Sequence, residues 1–206
     1  MARDHSHGKM WMLLTCWTAV AIGGVAAMCQ PTTAAPSDSS PEALGVYSDA
    51  ATLQNKGEFS VAAEEWARFL SRFPNDPLAA KAQHYLGVCR LQLKQYEKAA
   101  AAFDATIKKY PEFELRESAY LNLGWCQYTM AQQGKPDLYA QAAQTFQAMI
   151  KQFPKSPKIP AALFMKGLAQ LESGKPKGGA ATLKKLVSSY PKSDEAKQAK
   201  EKLDSL

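Results

Sequence analysis

The sequence predicts an all-α solenoid of about four paired-helix units closed by a short capping helix, and three spacings carry that prediction. An aromatic residue precedes proline four times, at Phe73-Pro74, Tyr110-Pro111, Phe153-Pro154 and Tyr190-Pro191, with the prolines 37, 43 and 37 residues apart. Gly87, Gly124 and Gly167 keep the 37 and 43 spacing, and Phe59, Tyr96, Tyr139 and Pro176 keep it again. A fixed period of this length marks a supersecondary unit that cannot bury its apolar face alone, so neighbours stack into a quasi-one-dimensional array.

The amino-terminal segment stands apart. Arg3 and Lys9 precede an uncharged stretch from Met10 to Cys29, with small residues at Val25-Ala26-Ala27 and Thr33-Ala34-Ala35. Residues 1–27 read as an export signal or a membrane anchor, since about 20 apolar residues suffice either for translocation or to span a bilayer. Lipidation of Cys29 is a third reading, set against it the Met28 that stands where a lipobox wants a small residue. Residues 28–43, rich in Pro, Ser and Thr, read as a disordered linker. The repeat domain then covers 44–206, with units near 44–77, 78–114, 115–157 and 158–193 and a cap at 194–206.

Within a unit the periodicity is helical. Ala82, Tyr85, Leu86, Cys89 and Leu93 recur at three- and four-residue intervals, and Tyr96, Ala99, Ala100, Phe103 and Ile107 repeat the habit. The two helices meet at Lys94-Gln95, at Gly57-Glu58 and at Gly174-Lys175, corners where the chain leaves a helix in a left-handed conformation. Proline closes each unit, and Asp76-Pro77 and Ser156-Pro157 are candidate helix caps. Ala196, Ala199 and Leu203 share one side of the last segment, as a helix covering the open end requires. Cys89 and Cys126 occupy equivalent positions in successive units, roughly 10 Å apart, and so read as buried hydrophobes and not a disulfide.

The order small residue, Leu-Gly, Ala-x-x-x-aromatic, Pro resembles the tetratricopeptide repeat. The second unit carries Ala82, Leu86, Gly87, Tyr96, Ala99, Phe103 and Pro111; the third carries Ala119, Leu123, Gly124, Tyr139, Ala142, Phe146 and Pro154. The outer units drift, with Ala50, Gly57, Ala62, Trp66 and Pro74 in the first and Gly167, Gly174, Gly179, Leu183 and Pro191 in the fourth. The resemblance implies a right-handed superhelix. Two departures stand out. The period is 37 and not about 34, with the extra residues after each proline, which predicts a longer first helix in the next unit. Six further residues separate Gly124 from Tyr139 and predict an enlarged corner around Gln132–Asp137. Longer repeats ending in Tyr-Pro or Phe-Pro, with Tyr85-Leu86-Gly87 and Phe153-Pro154-Lys155-Ser156, are similar to those of bacterial envelope proteins, namely outer-membrane-assembly lipoproteins and Tol-Pal coordinators.

The same resemblance places the first helices along a concave groove. Tyr47, Ala51, Lys81, His84, Val88, Leu91, Leu121, Trp125, Tyr128, Phe164, Leu168 and Leu171 would line it, making it apolar and aromatic. Such a surface suits a protein segment that inserts apolar side chains, although large residues at helical spacing equally fill a core. The lysine and asparagine clamp of chaperone-binding relatives is missing, because Val88, Leu121, Trp125 and Leu168 stand there. Trp66, Phe103 and Phe146 read as helix-to-helix packing. His84 reads as a groove-lining or satisfied side chain and not a base.

Charge and inventory narrow the function. The net charge is +6, but residues 36–134 hold 10 Lys and Arg against 12 Asp and Glu, while residues 135–206 hold 13 against 6. The basic half is a solvated face or a surface for acidic partners, anionic lipid or wall polymer. No phosphate loop, metal-ligand cluster, cofactor motif, nucleic-acid motif or nucleophile with a matched base is legible. The sequence therefore predicts a non-enzymatic scaffold of the bacterial envelope, exported to the periplasm or cell envelope with or without a membrane anchor, that holds protein partners in its groove, with no catalytic residue, no cofactor, no metal, no nucleic acid and no small-molecule substrate. The alternative is a membrane-held structural piece of an envelope assembly acting through its basic face, where Lys184, Lys185 and Lys192 lie.

Overall fold

The computed structural model describes residues 38–206, so the segment read as an export signal or membrane anchor, and Cys29, lie outside the described residues. Over that stretch run α1 (Pro41–Asn55), α2 (Phe59–Arg72), α3 (Ala79–Gln92), α4 (Tyr96–Lys109), α5 (Arg116–Gln132), α6 (Asp137–Gln152), α7 (Ile159–Glu172), α8 (Pro176–Ser189) and α9 (Asp194–Asp204). No strand occurs among the described residues. Each helix packs mainly on its neighbours in sequence, which makes the array an all-α repeat solenoid. No helix of the described residues is long and apolar enough to cross a membrane.

Second helices supply the large buried side chains. Trp66 on α2, Phe103 on α4, Phe146 on α6 and Leu183 on α8 are all fully buried, and Gly87, Gly124 and Gly167 of the first helices face the last three. A methyl at Gly124 would stand 2.7 Å from the Phe146 ring, and one at Gly87 would stand 2.8 Å from Phe103. Glycine is required there because the helix backbone rests on an aromatic face. The corners behave as predicted, with positive φ at Gly57 (81°), Lys94 (56°), Gly134 (103°) and Gly174 (76°). Ala196 and Ala199 of α9 are buried against the last hairpin, and Leu203 packs beside them. Cys89 and Cys126 are free and buried.

Three expectations need correction. Helix α1 begins at Pro41, inside the segment read as linker, because Ser40 accepts a hydrogen bond from the Ala43 amide (3.1 Å) and proline fits the first helical position. The extra residues after each proline do not lengthen the next helix. Asp76 Oδ1 accepts from the Leu78 amide (2.8 Å) and Ser156 Oγ from the Lys158 amide (3.1 Å), so both side chains stabilise turns ahead of the helix. Finally, the six residues near Gln132 mostly become helix: α5 has 17 residues where α3 has 14, and α6 has 16 where α4 has 14.

Candidate partner-binding cleft

The first helices α1, α3, α5 and α7 carry all the predicted groove residues, but packing divides them. Tyr47 meets Trp66 edge-on at 4.8 Å and Phe69 at 5.8 Å, so its ring seals the first hairpin. His84 is 4% exposed and enclosed by Tyr85, Phe103 and Phe113, whose ring centroids lie 5.6–5.8 Å away. Its Nδ1 has no hydrogen-bond partner. Burial, and then the Lys158 charge, lower the His84 pKa to about 4, so the imidazole is neutral. Phe113 belongs to the link after Pro111, and that long link is what covers the histidine.

Val88, Leu91, Leu121 and Leu168 lie half-buried against the central core, and Ala51 packs against the first. Tyr128 is 9% exposed and meets Tyr139 edge-on at 5.2 Å; burial pushes its phenol up to about 12. Phe164 and Leu171 pack on the last hairpin. Leu171 fills the space above Gly179, where a methyl would fall 2.6 Å from its Cδ2. A glycine in α8 thus draws inward a side chain predicted to face a partner.

Trp125 differs from the rest, being 40% exposed. It stands edge-on to Tyr96 at 5.8 Å and lines a cleft of about 420 Å³ with Leu91, Gln92, Lys94, Tyr96 and Asn122. The cleft lies where the start of α4 meets the middle of α5. Lys135 bonds Glu97 (2.7 Å), tying the α5–α6 corner to the same end of α4. Sequence reasoning places Tyr96 in the repeat motif and the helical stripe and not in the groove. The available signal was its recurrence as an aromatic at the opening of a second helix, one unit before a tryptophan.

Two lysines beside this row have carboxylate partners, in contrast to His84 Nδ1. Lys158 Nζ donates to Glu117 Oε1 (2.7 Å) and Ser118 Oγ (2.9 Å), and Lys81 lies 3.2 Å from Glu114. Hydrogen bonds from Lys158 and Ser156 hold the Glu117 carboxyl below the usual range. Burial pushes the thiols of Cys89 and Cys126 up to about 11 and about 12, which leaves them protonated and unreactive. No group of three or more His, Cys, Asp or Glu among the described residues is placed to hold a metal.

Comparison with known proteins agrees with the all-α repeat fold. A tetratricopeptide repeat family matches residues 42–112, and the outer membrane lipoprotein family YfiO matches residues 84–206. No curated protein matches the chain. A tetratricopeptide repeat protein from Parabacteroides merdae is similar with TM-score 0.64 and 13% identity, covering 78% of this chain and 58% of that one, so this chain spans less than two thirds of it. MamA from Desulfovibrio magneticus RS-1 gives TM-score 0.62 at 18% identity over 79% of this chain and 91% of that one. The repeats of a putative kinesin light chain from Podosopora anserina give 0.60 at 14% over 79% and 83%. Identities this low establish the fold alone. The YfiO match extends over more than half of the sequence and through the hairpins that bear Trp125, and on that basis the chain belongs to the outer membrane lipoprotein family.

Proposed function

We propose that this protein is a non-catalytic scaffold of the bacterial cell envelope that seats a segment of a partner protein in the Trp125 cleft. The observation that carries the reading is the pairing of a 40%-exposed tryptophan with Tyr96 over an open cleft, while most of the aromatic row is turned into packing. Exposed aromatic residues over a preformed depression are the usual anchors of protein recognition, because they bury much area at little entropic cost. Leu91 supplies an apolar floor, and Asn122 and Gln92 supply amides for a partner backbone. Membership of an outer membrane lipoprotein family and the basic, apolar start of the sequence support export to the envelope and leave room for a membrane tether.

Photocross-linking in intact cells tests this. A cross-linker at position 125 should give a discrete adduct with one envelope protein, one at the exposed Val61 of α2 should not, and Trp125→Ala should abolish co-isolation of that partner. Equal labelling from both positions would remove the cleft from consideration.

A further inference from the structure

A second cleft, independent of Trp125, lies between α6 and α7. Its volume is about 400 Å³, and Ala143, Gln147 and Lys151 of α6, Lys166 and Gln170 of α7, and Lys175 at the corner before α8 line it. Lys166 breaks the repeat. The residue before the unit glycine is Leu86 in the second unit and Leu123 in the third, both buried, whereas the fourth has Lys166 before Gly167. The side chain is half-buried and its ammonium donates to Gln147 Oε1 (2.6 Å). Burial and the neighbouring Lys185 charge lower its pKa. Among the described residues, none of Lys151, Lys166, Lys175 and Lys185 lies within ion-pair distance of a carboxylate, although seven other cations do.

We propose that this cleft binds an acidic, extended segment of a partner protein, with a carboxylate seated on Lys166. An ammonium set between two helices, half removed from water and answered only by a neutral amide, lacks the counter-charge that its surroundings favour. The rim lysines attract the same sign. Charge complementarity therefore specifies an anion, and the half-buried Lys166 between the exposed Lys151 and Lys175 specifies one that protrudes, as an Asp or Glu side chain does from a backbone. Gln144, Gln147 and Gln170 stand along the cleft with amides suited to a peptide chain, and Ala140, Ala143 and Ala148 leave it the width. A flat anionic bilayer would meet the rim lysines and leave the floor unused.

The test uses the full chain in neutral detergent and a dye-labelled peptide of alternating Glu and Ala, read by fluorescence anisotropy at low salt. The parent protein should bind, Lys166→Leu should weaken binding by roughly tenfold or more, and Lys200→Ala on α9 should change it by less than about twofold. Leucine is what the second and third units carry at that place, so the variant keeps its fold, which thermal unfolding verifies. Trp125→Ala should bind the peptide normally, since that cleft is separate. The proposal is overturned by no binding to the parent protein, by equal losses in the two lysine variants, or by loss with Trp125→Ala. Phosphatidylglycerol vesicles that bind through Lys166 when the peptide does not would also overturn it, assigning the cleft to a membrane.

Discussion

The cleft floored by Leu123 and the cleft floored by Lys166 are built from the same repeat, yet they differ in what they leave unfinished. In the former, beside α4, α5 and α6, Lys108 bonds Asp104 (2.7 Å), and Arg116 donates to the carbonyls of Ile107 (3.3 Å) and Pro111 (3.1 Å). Every cation has an answer within the chain. In the latter, Lys151, Lys166 and Lys175 line the cleft without a carboxylate partner, and Lys166 has only the Gln147 amide oxygen. Repetition sets the backbone of both; the difference lies in side chains one repeat apart, Leu123 against Lys166 and Asp104 against Gln147.

Four experiments would break or sharpen that contrast. The largest effect is expected from Leu123→Lys, which copies the fourth unit into the third. With Leu123 only 8% exposed, the variant should lose about 3 kcal/mol in urea unfolding, from lost apolar burial and a desolvated ammonium. Lys166→Leu should be neutral or stabilising, and a loss above about 1 kcal/mol there would mean that the lysine is structural.

The second unit offers a related test, because His84 is a polar group already buried without a full set of partners. Its folded pKa of about 4 lies below the usual 6.5, so the unfolded chain binds the proton more readily between those values. Stability is full above pH 6.5 and declines as pH falls toward 4. From pH 7 to pH 5 the loss should be about 2 kcal/mol, and His84→Leu should flatten that part of the profile. An unchanged slope in the variant would place the effect elsewhere.

Next in size is the glycine contact. Gly124→Ala should cost about 1–2 kcal/mol because the rigid Phe146 ring stands 2.7 Å from the new methyl. Gly167→Ala meets Leu183 at 2.5 Å, and that side chain can change rotamer, so the cost should be about half as large. Equal costs would show that Leu183 is as firmly held as the phenylalanine. The smallest effect concerns the corners. Lys94 has φ of 56° where the first and fourth units have glycine, so Lys94→Gly should stabilise the second hairpin by about 0.5–1 kcal/mol, seen as a higher Tm.

Much of the fold was legible because repeats amplify weak local signals. Phe73-Pro74 alone is a turn; the same pair recurring with Gly87 and Phe59 in step is an architecture. Trp66, Phe103 and Phe146 were readable as packing, and the structure buries each fully. The candidate cleft was less legible. Leu91 and Trp125 were on the predicted row, but their companion Tyr96 comes from a second helix. His84 was on that row too, and the covering ring of Phe113 arises from a link whose path no helical periodicity reports. Leu171 turned inward because Gly179, eight residues later, lacks the methyl that Ala99 and Ala142 supply in other units.

By itself the sequence determined the helical period, the number of hairpins, the glycine register and the closing helix, since these follow from spacing and residue type along one chain. Only the tertiary structure decided which first-helix side chains stay in water. That choice depends on atoms from links and second helices outside the first helices, whose approach is set by close packing and leaves no periodic trace.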